Sequence, residues 1–281
     1  MNTLDKQTTN QDEPIQENSQ ETPKRKKRRF NLLKRDPFGN IIFLKRMLIG
    51  FLGSLTYTRF TLANKLKIEG TDYLMNLPDK NVMFISNHQT YYADVMALYH
   101  IFCSVKWKFR NTINNPLYML FPRANTYYVA AEETMKESGW IPKIFSLAGA
   151  ITVRRHWRAK GKDVNRAPDV KAPEKIKKAL EHGWVVNFPQ GTTSPYAPVQ
   201  KGTAHIIKLY NPIVVPVVID GFRRAFDKKG LFFKKRNTTL SVRFKEPMRF
   251  NDNDSIQDIM AAITKAIEQE PERKNSSLSK K

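Results

Sequence analysis

Short apolar runs alternate along most of the chain with segments in which apolar residues recur every three or four positions. The runs predict buried β-strands, and the recurring pattern predicts helices with one apolar face. The predicted strands cover residues 81–86, 149–155, 184–189 and 213–219, followed by an outer strand at 239–247. The predicted helices cover residues 93–102, 172–183 and 202–210, and a last helix opens near Asp254 or Ser255. This alternation predicts a single α/β domain over residues 67–270, with a mostly parallel central sheet flanked by helices.

The N-terminal residues follow neither pattern. Residues 1–23 contain five acidic residues and almost no apolar side chain to bury, and residues 24–35 contain eight basic residues. We therefore expect residues 1–36 to be a disordered tail, acidic and polar at first and then polybasic. A polybasic run suits a solvated surface, a nucleic acid or an anionic membrane, so the segment that follows it decides between them.

Residues 37–66 form an apolar segment interrupted by few charges. Its longest stretch without charge, Met47–Thr58, has twelve residues, whereas a membrane-spanning helix needs about 20. Within the segment, apolar residues recur at helical spacing, at Leu44, Leu48, Phe51, Leu52 and Leu55. Next to the polybasic run, this pattern predicts an amphipathic, membrane-associating helical segment on an anionic surface. The alternative is an N-terminal helix that packs on the core.

The composition narrows the choice of partner. The 281-residue chain has 48 Lys and Arg against 26 Asp and Glu, a net charge of +22, which favours a membrane surface, a nucleic acid or a phosphorylated ligand. Its single cysteine, Cys103, cannot form an internal disulfide, so a reducing, cytoplasm-facing location is expected. The five histidines show no paired metal-ligand spacing, and no metal is expected. Residues 271–281 form a predicted polar tail.

Three polar clusters directly follow predicted strands. They are Asn87–Asp94 (NHQTYYAD), Arg154 with Arg155, and Pro189–Ser194 (PQGTTS). In a parallel sheet, ligands bind at the carboxyl ends of the strands. We therefore expect the three clusters to meet at one edge of the sheet and to form a single site.

His88 and Asp94 are the candidate catalytic pair in the first cluster. Six positions on a straight helix correspond to about 240° around its axis, so the two side chains can meet only if a loop separates them. A histidine held by a carboxylate through one ring nitrogen can accept a proton from an alcohol with the other. A turn histidine that only caps a helix is the structural alternative.

In order and approximate spacing, SNHQTYYADV, AGAITVRR, NFPQGTTS and PIVVPVVIDG resemble the four sequence blocks of the glycerolipid acyltransferases. The resemblance covers about residues 66–250 and is to the bacterial 1-acylglycerol-3-phosphate acyltransferase-like members of the lysophospholipid acyltransferase family. It implies transfer of an acyl group from acyl-CoA or acyl carrier protein to a hydroxyl of a lysolipid acceptor in phospholipid biosynthesis. It also implies that the reaction uses no metal and no bound cofactor.

The resemblance implies roles for individual residues. His88 would be the general base, and Asp94 would orient it. Arg154 and Arg155 would bind a phosphate on the acceptor. The PQGT loop, with Gln190, Gly191 and Thr192, would line the acceptor site. Beside what the resemblance implies, Thr193 is expected to bind the acceptor, and Lys201 offers positive charge that favours a phosphate headgroup.

Two features depart from the family pattern. Five residues separate His88 from Asp94 where the family usually has four, and the third block has Gln190 and Thr193 in place of glutamate and arginine. The exchange removes one charge of each sign, so no buried charge is stranded if the two normally pair. The acceptor stays open between a phosphate-bearing lysophospholipid and an uncharged or zwitterionic lipid, such as a hydroxylated aminoacyl lipid. A catalytically inactive lipid-binding relative is a third hypothesis.

A nucleic-acid-binding protein is the competing class. The polybasic run adjoins an apolar segment and not a nucleic-acid-binding fold, so no nucleic acid partner is expected. The expected location is the cytoplasmic face of the cell membrane, as a peripheral or monotopic protein. Residues 114–130, which are rich in aromatics, are expected to be an irregular core segment or a flap that touches lipid.

Overall fold

A computed structural model of the chain describes residues 32–136, 140–155, 158–159, 162–163, 167 and 169–271. The predictions of a disordered tail over residues 1–31 and of a polar tail over 272–281 lie outside these residues. The described residues belong to one compact unit, in agreement with the prediction of a single domain.

Helices and strands alternate through the described residues. The helices are α1 (Ile42–Thr61), α2 (Asp72–Met75), α3 (Ala93–Lys106), α4 (Glu132–Met135), α5 (Trp140–Leu147), α6 (Ala172–Leu180), α7 (Lys201–Tyr210), α8 (Phe222–Ala225) and α9 (Ile256–Ala266), with a 3-10 helix at Pro116–Met119. The strands are β1 (Lys65–Glu69), β2 (Val82–Ser86), β3 (Thr126–Ala131), β4 (Ala150–Val153), β5 (Arg158–Ala159), β6 (Lys162–Asp163), β7 (Trp184–Asn187), β8 (Ile213–Asp220) and β9 (Thr239–Phe244).

Seven of these strands form one sheet in the order β1-β9-β8-β2-β7-β3-β4. All neighbours in this order are parallel except β8 and β9, which are antiparallel. The prediction of a mostly parallel sheet is therefore confirmed. Because β8, β2, β7, β3 and β4 run in the same direction, their carboxyl ends lie along one edge of the sheet.

The central strand β2 contributes to a core on each face of the sheet. All five of its residues are buried, and the side chains alternate between the two faces. Val82 and Phe84 belong to the core that α1 and α3 cover, whereas Met83 and Ile85 belong to the core that α6, α7 and α9 cover. Burial on both faces explains why the strand is a continuous apolar run and not an alternating one.

Two strands of the sheet were not predicted. β1 pairs with β9 at the edge of the sheet, so the prediction that residues 239–247 form an outer strand is wrong. Only Ile68 of β1 is buried, which leaves too little apolar pattern to mark a strand. β3 lies in the segment 114–130 together with the 3-10 helix, and it is buried between β7 and β4. Its sequence, TYYVAA, has only three consecutive apolar residues, which are too few to mark a strand.

The helix α1 has the features of both alternatives considered for residues 37–66. One side packs on the core, where Ile49 and Phe60 are 7% and 1% exposed. The other side exposes large apolar side chains, at Phe43, Leu44, Met47, Phe51 and Leu55. The helix is therefore apolar on two sides and lacks the continuous polar face of an amphipathic surface helix. Among the described residues, none of the helices combines the length and the hydropathy needed to span a bilayer.

The segment before α1 is folded from Leu32 onward. Asp36 is buried, and its carboxylate accepts the backbone N–H groups of Phe38 and Asn40, each at 2.9 Å. Lys45 of α1 lies 3.9 Å from this carboxylate, and burial lowers the pKa of Lys45 to about 8. The expected disorder therefore does not extend to residues 32–36, because Asp36 attaches this segment to α1.

Candidate active site

His88 and Asp94 are in direct contact. Nδ1 of His88 lies 2.9 Å from Oδ2 of Asp94, and the aspartate side chain is fully buried while that of His88 is 14% exposed. Oδ2 also accepts the N–H groups of Gln89 and Thr90, at 2.5 and 3.1 Å, and Oδ1 accepts the Thr90 hydroxyl at 2.7 Å. Because an ionised carboxylate can only accept, His88 carries its hydrogen on Nδ1, and the lone pair of Nε2 is left for another partner.

The histidine is held in place from two further directions. Its ring stacks on Phe188 with 3.8 Å between ring centroids and 17° between planes. The neighbouring Asn87 side chain donates to the carbonyl of Ile219 and accepts its N–H, both at 2.8 Å. Asn87 thereby continues the pairing of β2 with β8 by one residue. The start of the loop that carries His88 is therefore fixed to β8.

The five residues between His88 and Asp94 are accommodated by a neighbouring hairpin, residues 226–233. The N–H groups of Tyr91 and Tyr92 donate to the carbonyls of Lys228 and Lys229, at 3.0 and 2.9 Å. Gly230 of the hairpin has a φ of +77°, and a Cβ there would lie 2.6 Å from the nitrogen of Ala93. Glycine is therefore required for this close approach. The five-residue spacing therefore forms a loop that is hydrogen-bonded to the hairpin. In this loop the contact between His88 and Asp94 is kept.

The third-block loop, residues 188–200, starts with a tight turn beside His88. The N–H of Gly191 donates to the Phe188 carbonyl at 2.9 Å, and that of Gln200 to the Pro189 carbonyl at 2.8 Å. The amide of Gln190 is 1% exposed and donates to the Ala197 carbonyl at 2.6 Å and to Oε1 of Gln269 at 3.2 Å. Gln190, expected to bind the acceptor, therefore holds the loop to the chain just after α9.

The two arginines after β4 differ in their surroundings. Arg155 donates from Nη1 to the Gly191 carbonyl at 3.0 Å, and its Nε lies 3.7 Å from Oε2 of Glu133. It therefore joins the end of β4 to the third-block loop and to α4. Arg154 has an exposed side chain, and its backbone N–H donates to Asp169 at 3.1 Å. Of the two, Arg154 has the guanidinium that is more accessible to a ligand.

The other predicted binding residues lie at the rim of the same edge. Lys201 is the first residue of α7 and is exposed. The hydroxyl of Thr192 accepts the N–H of Ser194 at 3.2 Å, and Thr193 contributes its carbonyl to a contact with Arg223. The structure thus brings together the three polar clusters, because the loops that carry them follow β2, β4 and β7.

Arg223 is a residue of this edge that sequence reasoning missed. It lies in α8, directly after the fourth block, and its Nη2 donates to the Thr193 carbonyl at 2.5 Å. Its backbone N–H donates to Oε1 of Gln89 at 3.1 Å. The available signal was its position just beyond the carboxyl end of β8, where ligands bind in parallel sheets.

An apolar recess lies between α1, α3, α5 and the 3-10 helix. It is narrow, with a cavity volume of about 30 Å³, and Ile49, Met96 and Phe145 contribute to its walls. Its polar lining residues include His100 and Cys103. Burial raises the pKa of the Cys103 thiol to about 12, so this cysteine stays protonated and is no nucleophile at neutral pH. Within the described ranges, no cluster of three His, Cys, Asp or Glu side chains could hold a metal.

Comparison with known proteins identifies the family to which the chain belongs. The family model described as Acyltransferase matches residues 65–220, more than half of the chain, and the chain therefore belongs to this acyltransferase family. A similar solved structure is the 1-acyl-sn-glycerophosphate (LPA) acyltransferase PlsC from Thermotoga maritima, with a TM-score of 0.48 and 18% identity, over 84% of this chain and 80% of that one. A search of curated proteins found no match.

Proposed function

We propose that the protein is a membrane-associated O-acyltransferase that moves a fatty acyl group from acyl-CoA or acyl carrier protein to a hydroxyl of a lysophospholipid-like acceptor, in phospholipid synthesis. The observation that carries the proposal is the His88–Asp94 contact of 2.9 Å beside the third-block loop. It leaves Nε2 of His88 as a positioned base at the edge where the family's four blocks meet.

In the proposed reaction, Nε2 of His88 takes the proton of the acceptor hydroxyl as its oxygen attacks the thioester carbonyl. Asp94 fixes the tautomer and stabilises the imidazolium that forms. The tetrahedral intermediate then expels the donor thiolate, which takes the proton back from His88. An ester and a free thiol result. The thioester is already activated, so the reaction needs no covalent enzyme intermediate, metal or bound cofactor.

The apolar lining of the recess beside the site supports a contact there with part of the fatty acyl chain. Met96 and Tyr99, which help to line it, belong to α3, the helix whose first turn carries Asp94. Tyr92, on the loop between His88 and Asp94, packs against Phe145 of the recess wall with 4.5 Å between ring centroids. A chain in the recess would lie against the same loop that positions the base.

The proposed acceptor is a lysophospholipid similar to 1-acylglycerol-3-phosphate. The exposed charges of Arg154 and Lys201 support a phosphate-bearing headgroup. The second candidate is a hydroxylated aminoacyl lipid without phosphate, which is favoured by the absence of a cationic side chain at Thr193.

We place the protein on the cytoplasmic face of the cell membrane, bound to anionic lipid without spanning it. The exposed apolar side of α1 supports this location, together with the large exposed side chains next to it at Leu117, Leu120 and Phe121. Large exposed apolar side chains on two elements that are in contact are typical of an interaction site. The net charge of +22 adds attraction to anionic lipid.

The activity is tested by incubating the protein and its His88→Ala variant with labelled acyl-CoA and with labelled acyl carrier protein. The acceptors are lysophosphatidic acid and a 3-hydroxyacyl amino acid lipid. We expect an ester product only with His88 present. Transfer to lysophosphatidic acid supports the phospholipid role, and transfer only to the second acceptor supports the alternative. A protein that binds lipid but transfers nothing to either acceptor would be the inactive relative.

The membrane assignment is tested with the double variant Phe51→Ser/Leu55→Ser. Deleting residues 1–60 would remove Ile49 and Phe60 from the core, so substitution is the cleaner change. Because each side chain buries apolar area in lipid, we expect at least a tenfold weaker affinity for phosphatidylglycerol vesicles. Leu209→Ser, at an equally exposed leucine of α7, is the matched control. Unchanged vesicle binding by the double variant would remove α1 from the interface.

A further inference from the structure

Arg223 bonds to both loops that hold the candidate base. Its backbone N–H reaches the side chain of Gln89, the residue after His88, at 3.1 Å. Its guanidinium reaches the Thr193 carbonyl at 2.5 Å, on the loop whose Phe188 stacks against the ring of His88. Arg223 therefore joins the two loops, with its backbone bonded to the His88 loop and its half-buried side chain to the third-block loop.

The neighbouring Arg224 provides a contrast within the same short helix. Its Nη2 lies 3.0 Å from Oδ2 of Asp220, and both side chains are exposed. Partial desolvation opposes ionisation of Asp220, but hydrogen bonds from Arg224 and the Gly221 N–H hold the pKa of its carboxyl below the usual value. The charge of Arg224 is thus neutralised by a carboxylate. Arg223 makes no ion pair with any carboxylate in the parts of the chain that the structure describes.

The contact with Thr193 indicates what the charge of Arg223 could bind. Thr193 stands where the resemblance places an arginine, so the third block supplies no cationic side chain at this position. The guanidinium of Arg223 is bonded to the carbonyl of that same residue. One of its five N–H groups is used in this bond, and the planar fork of the others can bind two oxygens of one anion.

We propose that Arg223 binds an oxyanion of the acceptor lipid, a phosphate or a carboxylate, and thereby holds the acceptor hydroxyl near Nε2 of His88. This inference rests on the proposed acyl transfer and deepens it. Arg223 replaces, from α8, the positive charge that is absent at Thr193. In this arrangement the anionic group of the acceptor lies at Arg223 while its reacting hydroxyl lies at His88.

The kinetic test compares Arg223→Gln with Arg224→Gln, a change of the same kind one residue away. The acceptors are lysophosphatidic acid, a 3-hydroxyacyl glycine lipid with a free carboxylate, and an uncharged monoacylglycerol. We expect Arg223→Gln to raise KM about 10–100-fold for the anionic acceptor that the enzyme uses, with kcat nearly unchanged. The KM for monoacylglycerol should not change, and Arg224→Gln should behave like the unaltered protein. Which anionic acceptor is affected distinguishes phosphate from carboxylate.

A binding measurement separates this inference from the proposed activity. Deoxy analogues of the two anionic lipids retain the phosphate or carboxylate but have no hydroxyl, so their binding requires no turnover. We expect Arg223→Gln to weaken binding of one analogue at least tenfold and Arg223→Lys to restore part of it. Equal affinity of Arg223→Gln and the unaltered protein for both analogues would overturn the inference, even if acyl transfer is found. Loss of binding without any acyl transfer would instead count against the proposed function alone.

A purely structural role of Arg223 would give a different pattern of KM values. If Arg223 only joins the two loops, Arg223→Gln raises KM equally for all three acceptors, including the uncharged one. That outcome would overturn the oxyanion role. The thermal unfolding midpoint, measured for both variants, shows whether each is folded at the temperature of the assay.

Discussion

His88 and His100 occupy two regions on the same side of the sheet, one at the polar edge and one beneath the apolar helix α1. Nδ1 of His100 lies 2.8 Å from the Tyr118 hydroxyl, and Nε2 lies 2.9 Å from that of Thr56. His100 is 3% exposed, and burial lowers its pKa to about 4. His88 instead contacts one carboxylate through Nδ1 and keeps Nε2 accessible.

The comparison teaches that the neighbours of an imidazole decide its role. Two hydroxyls occupy both nitrogens of His100, so the ring joins α1, α3 and the 3-10 helix and stays neutral. A carboxylate on one nitrogen makes the other a better proton acceptor and stabilises the charge that develops. His88 is therefore suited to catalysis, and His100 is suited to holding α1 against the domain.

The largest effect is expected from His88→Ala. Loss of a general base lowers kcat by about 10²–10⁴-fold, whereas the unfolding temperature should change little because the ring is at the edge of the core. The measurement is the rate of ester formation at saturating substrates. The comparison would break if His100→Gln lowered kcat as much as His88→Ala does.

Asp94→Asn tests the partner of the base and should lower kcat by about 10³-fold, within the range for general-base catalysis. The uncharged amide does not stabilise the imidazolium. Where its NH2 group replaces Oδ2, it faces the N–H groups of Gln89 and Thr90, which need an acceptor. A pH–rate profile with a saturating acceptor is the measurement. If the profile and kcat stay those of the unaltered protein, Asp94 does not act through His88.

His100 makes stability depend on pH. Its folded pKa of about 4 lies below the unfolded value of about 6.5, so the unfolded chain binds the extra proton first. The neutral His100 ring therefore contributes fully to the free energy of unfolding above pH 6.5. As pH falls from 6.5 to 4, the free energy of unfolding decreases by up to about 3 kcal/mol. Urea unfolding at several pH values measures it. His100→Gln should flatten the curve in this window, and an unchanged slope would assign the dependence to other groups.

Gln190→Ala should have the smallest effect, a loss of about 1–3 kcal/mol in the free energy of unfolding. The change removes the two hydrogen bonds that the buried Gln190 donates, one to the Ala197 carbonyl and one to Gln269. Gln269→Ala is the matched variant, and the pair forms a double-mutant cycle. If Gln190→Ala raised KM for the acceptor without affecting stability, Gln190 would contact substrate after all.

Local patterns predicted much of the fold and the main elements of the site. The apolar runs of β2, β7 and β8 and the helical pattern of α9 depend on neighbouring residues, and the predicted boundaries agree to within a few positions. The order of the polar clusters after these strands also indicated one common edge. These features are visible in one dimension because side-chain periodicity follows from backbone geometry.

Other features depend on contacts between distant residues. β1 is a strand because it pairs with β9, and α1 has a buried face because α3 lies beneath it. Sequence reasoning assigned Gln190 to the acceptor, and its contact with Gln269 is 79 positions away. Arg223 reaches Gln89 across 134 positions. No local pattern encodes such distances.

The sequence by itself determined the class of fold, the family and the pair His88 and Asp94, because these follow from short motifs and local periodicity. Only the tertiary structure decided which side chains of the third-block loop face inward and that Arg223 bonds to both loops next to His88. It also decided that α1 is apolar on two sides, one buried and one exposed. The physical reason is that burial, and with it the role of a polar group, is set by the elements that pack around it.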